Sequence, residues 1–461
     1  MKKIADWIRP ESVFLVLASL VGLACLILTP PFQVADEPSH FFRIVQIAEG
    51  RVVGERRGAE SGGEIPSALV AMEEHFFDGN AASGEVRWDR NKWTDVVSWL
   101  TQRTDLSARR FVDFRNMTRY APVVYLPQVV GVGIARILNL PPLWLVYGGR
   151  FCALAFFVWL VHRAIRTTPI CPWGFAVLAL LPALIYQAAS LSADSATNAV
   201  LFYFTALVFR YAFIKPAIAR RDVFALFALG AIIGLCKSIY VPALGLVFLI
   251  PAAKFGGRKK FWAVGVGATG CAVLSAALWA WAMQSTYVPS FADVNEWAQV
   301  SHILRDPLHF IGLLLGRFLG SVRFLYLGGG LGLCHEFVGL LGWYAGCVYI
   351  GQTSFAALFW CAVAEKNEQV RIREWQRWWV ALILSGAVVA IAAVNYVTWC
   401  APGWPALALF GRYFHPIAPM AFLLLHNRSF QVQCAEKWKW LIPVYFVGVA
   451  MATIYAVGKI Y

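Results

Sequence analysis

The chain is 461 residues long, 59% hydrophobic, with 20 Trp and only 14% charged residues. That mix excludes a soluble globular enzyme and a nucleic-acid-binding domain, and it points to a polytopic membrane protein. The formal charge is +14, yet the polar stretch from Gln33 to Arg119 holds 14 of the 26 acids against 12 of the 40 Lys and Arg residues, so the positive excess lies in short loops elsewhere.

In chain order, Lys2, Lys3 and Arg9 precede an apolar run at 13–31 that lacks the small residues of a cleavage site, which predicts a retained signal-anchor. Further runs of spanning length lie at 142–162, 173–191, 195–213, 222–236, 239–253, 261–283, 343–364, 378–397, 412–426 and 440–458. The runs at 121–138 and 307–326 carry Arg136, Arg317 and Arg323 together with glycines, and are expected to be interfacial or re-entrant helices. With the N-terminus cytoplasmic and 32–120 outside, the loops HRAIRTTP, KPAIARRD, AKFGGRKKF, EKNEQVRIREWQR and HNRSFQVQCAEKWK all fall inside, as the positive-inside bias requires. The expectation is a single all-α integral membrane domain over 1–461, with eleven spans, a large first external loop at 32–120 carrying an acidic motif, and an external C-terminus. Cys25, Cys152, Cys236, Cys271, Cys347 and Cys361 fall in apolar runs and read as small buried hydrophobes, which leaves Cys334 and Cys400 as the pair able to face an oxidising compartment.

This topology gathers polar groups on the outer face. They are Asp36, Glu37 and His40 in DEPSH, Asp194 in SLSADSATN, Lys237 in CKSIY, Arg412 and Tyr413 in GRYFHP, with Asp293, Glu296, His302, Arg305, Asp306, His335 and Glu336 between them. Asp-Glu-Pro is a good helix start, with an acidic cap, Pro38 in the first turn and Gly50 as the stop. A helix from Pro38 also places His40 and Arg43 within a turn of the acidic pair, and a carboxylate at a membrane exit with such neighbours suits a general base. Asp194 has the same two readings, a cap or a functional acid. Lys237 either snorkels or sits, with Pro242, where broken helices surround a polar cavity. Arg412 beside Tyr413 suits a phosphate. Glu37 and His40 next to Asp36 would admit a divalent cation, Mg2+ or Mn2+.

Other patterns carry no chemistry. GVGATG, Gly265 to Gly270, fits the dinucleotide pattern by letters, but it lies inside an apolar run with no preceding strand, so small-residue helix packing explains it. Gly312, Gly316 and Gly320 take the same reading. No P-loop, zinc-spaced Cys/His cluster or GxSxG elbow occurs, which argues against a primary pump.

The run PPFQVADEPSHFFRIVQIAEGR, followed by GGEIPSAL, YAPVVYLPQVVGVGIARIL, LPALIYQAASLSADSATNAV, KSIYVPALGLVFLIPAAKF, ILRDPLHF and GRYFHPIAP, resembles the bacterial predicted-membrane-protein family called domain of unknown function 2142. That family is in turn similar to the GT-C glycosyltransferases, which use polyprenyl-phosphate-linked sugars at the outer face of the membrane. The resemblance implies a GT-C-like bundle in the bacterial inner membrane, with a catalytic base in the first external loop. That role falls on Asp36 with Glu37 beside it, the second acidic position on Asp194, and the donor-phosphate grip on Arg412 and Tyr413. It implies as partners a polyprenyl-phosphate-linked sugar donor, a glycan or lipid-linked acceptor of the cell envelope such as O-antigen, and membrane lipids. A glycan polymerase or ligase would share this outer-face site. A lipid-linked oligosaccharide transporter or flippase is disfavoured, because no internal repeat is visible and the charges gather at one face.

Overall fold

The computed structural model describes residues 9–77, 79, 88–291, 293–327, 346–365, 367, 369–407, 409–426 and 438–461. Pro10 fixes φ at the start of α1, Pro10–Leu28, where the missing N–H costs nothing. One face of α1 buries Phe14, Ala18, Val21 and Cys25, while Leu20 and Ile27 on the other face are 60% exposed. A helix apolar on every side is stable when lipid covers what the protein does not.

After α1 the chain turns through Phe32 and Asp36, both at positive φ, into α2, Glu37–Ala48. Gly50, at φ +81°, stops α2 as its sequence predicts. The loop then forms a three-stranded antiparallel sheet of β1, Glu55–Arg57, β2, Glu60–Pro66, and β3, which is Arg109–Asp113. Two helices, α3, Ser67–Phe76, and α4, Lys92–Trp99, lie between β2 and β3. This sheet is absent from an all-α reading. Gly62 on the central strand is obligatory there, since a Cβ would meet the Val112 carbonyl oxygen at 1.7 Å.

The short α5, Arg115–Thr118, and a 3-10 turn at Pro122–Tyr125 lead into α6, Leu126–Ile137. At 1.5 Å per residue α6 is about 18 Å long, too short to cross a bilayer core alone. It packs on α7, Leu143–Thr167, which also contacts α1 and α10, Asp194–Phe213. The chain between α7 and α10 corrects the expectation of one helix over 173–191. It forms α8, Pro172–Ala179, and α9, Pro182–Ala188, because Pro182 ends the intrahelical bonding.

Next come α11, Arg220–Cys236, and α12, Arg258–Met283, which pack closely. A Cβ on Gly234 would stand 2.1 Å from the Ala272 carbonyl oxygen. Between α11 and α12 the run 239–253 is a 3-10 helix, Ser238–Leu249, with Pro242 inside it rather than an α-helical span. Small-residue packing holds for GVGATG at Gly265 and Gly267, whose faces receive the Phe248 and Phe227 rings. Gly312 and Gly316 meet nothing within 4 Å among the described residues.

The remainder comprises α13, Glu296–Arg305, α14, Pro307–Leu327, α15, Gly346–Ala364, α16, Glu374–Trp399, α17, Ala421–Leu425, and α18, Trp438–Ile460. The run 412–426 is again not one helix. Pro416 and Pro419 divide it into 3-10 turns at Gly411–Phe414 and Ala418–Met420 followed by α17. Five helices are long and apolar enough to cross a membrane among the described residues: α1, α7, α10, α12 extended to Thr286, and α16. The protein is a predominantly helical membrane protein.

Candidate functional site

Asp36 stands at φ +62°, a left-handed conformation that Asp and Asn tolerate better than other side chains. It occupies the cap position of α2, yet its carboxylate makes no capping bond. Instead Asp36 Oδ2 lies 3.3 Å from Arg412 Nη2, with the Asp36 side chain 38% and the Arg412 side chain 18% exposed. The 3-10 turn Gly411–Phe414 presents Arg412, and its guanidinium rests against the Phe410 and Tyr413 rings at 5.4 and 5.6 Å from their centroids.

A second ion pair joins Asp194, first residue of α10, to Lys237, the extended residue after α11. Asp194 does not cap α10 either. The Lys237 ammonium lies over the Tyr120 and Tyr413 rings, 5.4 and 5.5 Å from their centroids, so Tyr413 neighbours both cations. The Tyr240 hydroxyl donates to the Tyr413 carbonyl at 2.9 Å, which holds that turn in place.

His40 sits among these charges, and Asp36, Asp194, Lys237 and Arg412 all act on its imidazole. Burial pushes His40 down to about 4, so the ring is neutral at physiological pH. Its Nδ1 is 2.7 Å from the Tyr125 hydroxyl. The structure thus brings together Asp36, His40, Asp194, Lys237, Arg412 and Tyr413, residues from four separate segments.

Glu37 is placed elsewhere. Its carboxylate is fully buried against Arg150, with Nε to Oε1 at 2.8 Å and Nη2 to Oε2 at 2.5 Å. Arg150 also donates to the carbonyls of Thr29 and Pro30 at 2.7 and 2.9 Å, and Glu37 Oε1 accepts the Leu191 N–H at 3.2 Å. This clamp ties the end of α1, the start of α2, the body of α7 and the turn before Asp194 into one unit. Arg43, expected beside the acidic pair, is buried and turns to Gln46 and the Val52 and Tyr120 carbonyls. With both Glu37 oxygens committed to Arg150, the Asp36, Glu37 and His40 side chains do not fit a divalent cation. No three His, Cys, Asp or Glu residues form a metal-sized group among the described residues.

Arg150, Tyr120 and Tyr125 escaped the sequence reading. Arg150 carried a usable signal, since a lone arginine inside an apolar run demands a partner. His335 and Glu336 lie outside the described residues, as does Cys334; Cys400 Sγ is 3.6 Å from the Ala406 carbonyl. Of the acids after α12, Glu296 alone among the described residues lines the cavity of about 840 Å³ that opens beside Lys237 and Tyr413. This cavity runs between the ends of α11, α12 and α16 and the turn at 116–121, and Trp279, Trp281, Trp297 and Trp399 line it.

A family model described as predicted membrane protein, domain of unknown function 2142, matches residues 19–421. No curated protein and no solved structure matches the chain.

Proposed function

The chain belongs to this predicted-membrane-protein family, and we propose that it is a GT-C-type glycosyltransferase that moves a sugar from a polyprenyl-phosphate donor to a cell-envelope acceptor. The site would face the periplasm from the bacterial inner membrane, in a bundle of about eleven crossings, some of them broken segments. The observation that carries this reading is the pairing of Asp36, the most exposed charge of the cluster, with Arg412. A second carboxylate–cation pair stands beside it, and a cavity of about 840 Å³ is lined by Lys237 of that pair and by Tyr413, the neighbour of Arg412.

The chemistry follows from charge exchange. A lipid phosphate entering near Arg412 and Lys237 competes with Asp36 and Asp194 for those cations, and an arginine released from Asp36 can grip phosphate through two N–H groups. Asp36, freed of its partner, then accepts the proton of the acceptor hydroxyl. The hydroxyl oxygen bonds to the anomeric carbon as the bond from that carbon to the lipid phosphate oxygen breaks. The departing electron pair stays on the phosphate, where Lys237 and Arg412 stabilise it. His40, neutral and hydrogen-bonded to Tyr125, adds no fixed charge and orients the floor of the site. Glu37 positions both acidic turns through Arg150 and does not touch substrate.

Asp36→Asn tests the reading. Asn tolerates the same left-handed backbone, so the protein should fold with an unchanged unfolding temperature. Transfer of radiolabelled sugar from polyprenyl phosphate should fall by about 10²- to 10⁴-fold, the usual loss on removing a general base. A normally folded Asp36→Asn protein transferring at the wild-type rate sinks the assignment.

A further inference from the structure

We propose that the end of the cavity around Asn116, Arg119 and Glu296 is a saccharide subsite, distinct from the phosphate grip at Lys237 and Arg412. Two orphaned atoms point to it. Asn116 Oδ1 and Arg119 Nε are both buried and lack a hydrogen-bond partner among the described residues, and both residues line the cavity. One is an acceptor and the other a donor, three residues apart in one short turn. Sugar hydroxyls, which donate and accept at once, supply the partner that each of these two atoms lacks.

The surrounding chemistry selects among occupants. Arg119 donates to Ser290 Oγ at 2.7 Å and lies 5.5 Å from the Tyr287 ring centroid, with no carboxylate partner among the described residues. Tyr287 in turn bonds Glu296, so a cation and an anion flank the same ring. A phosphate placed here would gain from Arg119 and be repelled by Glu296. A prenyl chain would leave Asn116 Oδ1 and Arg119 Nε without partners, at about 1–3 kcal/mol for each buried group. A sugar ring uses both signs, because its hydroxyls donate to Glu296 and accept from Arg119. Its weakly positive C–H face also complements the negative π-faces of Trp279, Trp281, Trp297 and Trp399. The Trp279 indole N–H donates to the Arg119 carbonyl at 2.8 Å, which fixes this turn before any ligand arrives. Tyr120, next in sequence to Arg119, lies against Lys237, so the subsite adjoins the ion-pair cluster.

The inference rests on the transferase reading for its biological meaning, since the ring held there would be that of the donor or acceptor. Its test does not need transfer. The full chain is placed in lipid nanodiscs free of sugar-based detergent and probed by saturation-transfer NMR with methyl glycosides of glucose, galactose, mannose, rhamnose and N-acetylglucosamine. At least one glycoside should receive saturation from the protein. Its affinity should fall about tenfold in Asn116→Ala and in Glu296→Gln, the loss expected for a buried hydrogen bond of one to two kcal/mol. Asn116→Ala removes an unpaired atom, so its unfolding temperature should match wild type. The proposal is overturned if no glycoside binds, if both variants bind as wild type does, or if farnesyl phosphate displaces the glycoside competitively. Glycoside binding by a protein that transfers no sugar would leave the subsite standing and remove the transferase reading; transfer without glycoside binding would do the reverse.

Discussion

Asp36 stands at the cap position of α2 and Asp194 opens the first turn of α10, and neither carboxylate caps its helix. Each carboxylate instead faces a cation delivered from a distant segment, 376 residues away for Arg412 and 43 for Lys237. Near an apolar boundary an unpaired charge is costly, so pairs of this kind persist when the partners can be exchanged for a ligand. If Arg412 grips the donor phosphate, Arg412→Lys should keep part of the activity and lose donor affinity most, because a point charge replaces a two-pronged donor. Unchanged turnover and donor affinity in Arg412→Ala would remove it from the site. His40 makes a separate prediction in pH. Its folded value, about 4, lies below the ordinary 6.5, so between those limits the unfolded chain binds a proton that the folded chain refuses. Stability is therefore full above pH 6.5 and declines as pH falls towards 4, by an amount on the order of 3 kcal/mol. The unfolding temperature of wild type should drop more steeply than that of His40→Gln between pH 7 and 4.5, and parallel curves would refute this. The five charged and aromatic residues that interrupt apolar runs near their ends, Asp36, Asp194, Lys237, Arg412 and Tyr413, were legible in the sequence for that reason. Pairings were not, because nothing local links Asp36 to Arg412 or Glu37 to a residue 113 positions on.

The clamp between α2 and α7 is the element on which both acidic turns depend. Removing one partner of a fully buried pair strands the other charge, so Glu37→Gln and Arg150→Met should each destabilise the protein by about 3–5 kcal/mol. The double variant should cost clearly less than the two losses added, since it strands no charge. It should still not restore transfer, because the Thr29 and Pro30 carbonyls lose the guanidinium that orders the Asp36 turn. Additive losses in apparent unfolding free energy would show that the two side chains are not coupled. Long helices were the readable elements. The helices α1, α7, α10, α12 and α16 have no proline beyond Pro10 at the start of α1, and apolar length alone identifies them. Where Pro182, Pro242, Pro416 and Pro419 interrupt a run, composition still reads as a span while the backbone breaks. The sheet left almost no trace, since β2 is built from ESGGEIP, in which two glycines admit the neighbouring strands and the Val/Ile alternation of a strand is missing.

At the scale of the whole molecule, the basic loops lie at helix ends remote from Asp194 and Lys237. The α10–α11 loop meets the turn before α12, where the Ile218 N–H donates to the Lys254 carbonyl at 2.8 Å and Lys254 Nζ reaches the Tyr211 and Ala212 carbonyls at 2.9 Å. The α7–α8 loop meets the segment before α16, where Asn367 Nδ2 donates to the Pro169 carbonyl at 3.0 Å and Glu365 accepts the Trp173 N–H at 2.9 Å. Because α10 starts at Asp194 and α11 ends beside Lys237, the chain runs from the site to the basic end and back through these two helices. In the proposed topology the positive-inside bias puts the basic end in the cytoplasm and the ion-pair cluster outside, which requires α8, α9 and the 3-10 helix at Ser238–Leu249 to cross as broken segments. A reporter active only in the periplasm should therefore work when fused after Arg119 or after Asp306, and be silent after Lys260 or Arg373. The Lys260 fusion is the most discriminating, because it follows the broken segment whose crossing the topology requires. Periplasmic activity there would overturn the parity of the crossings on which this sidedness rests, because the cavity and the ion-pair cluster share Lys237 and Tyr413 and cannot be assigned to different faces.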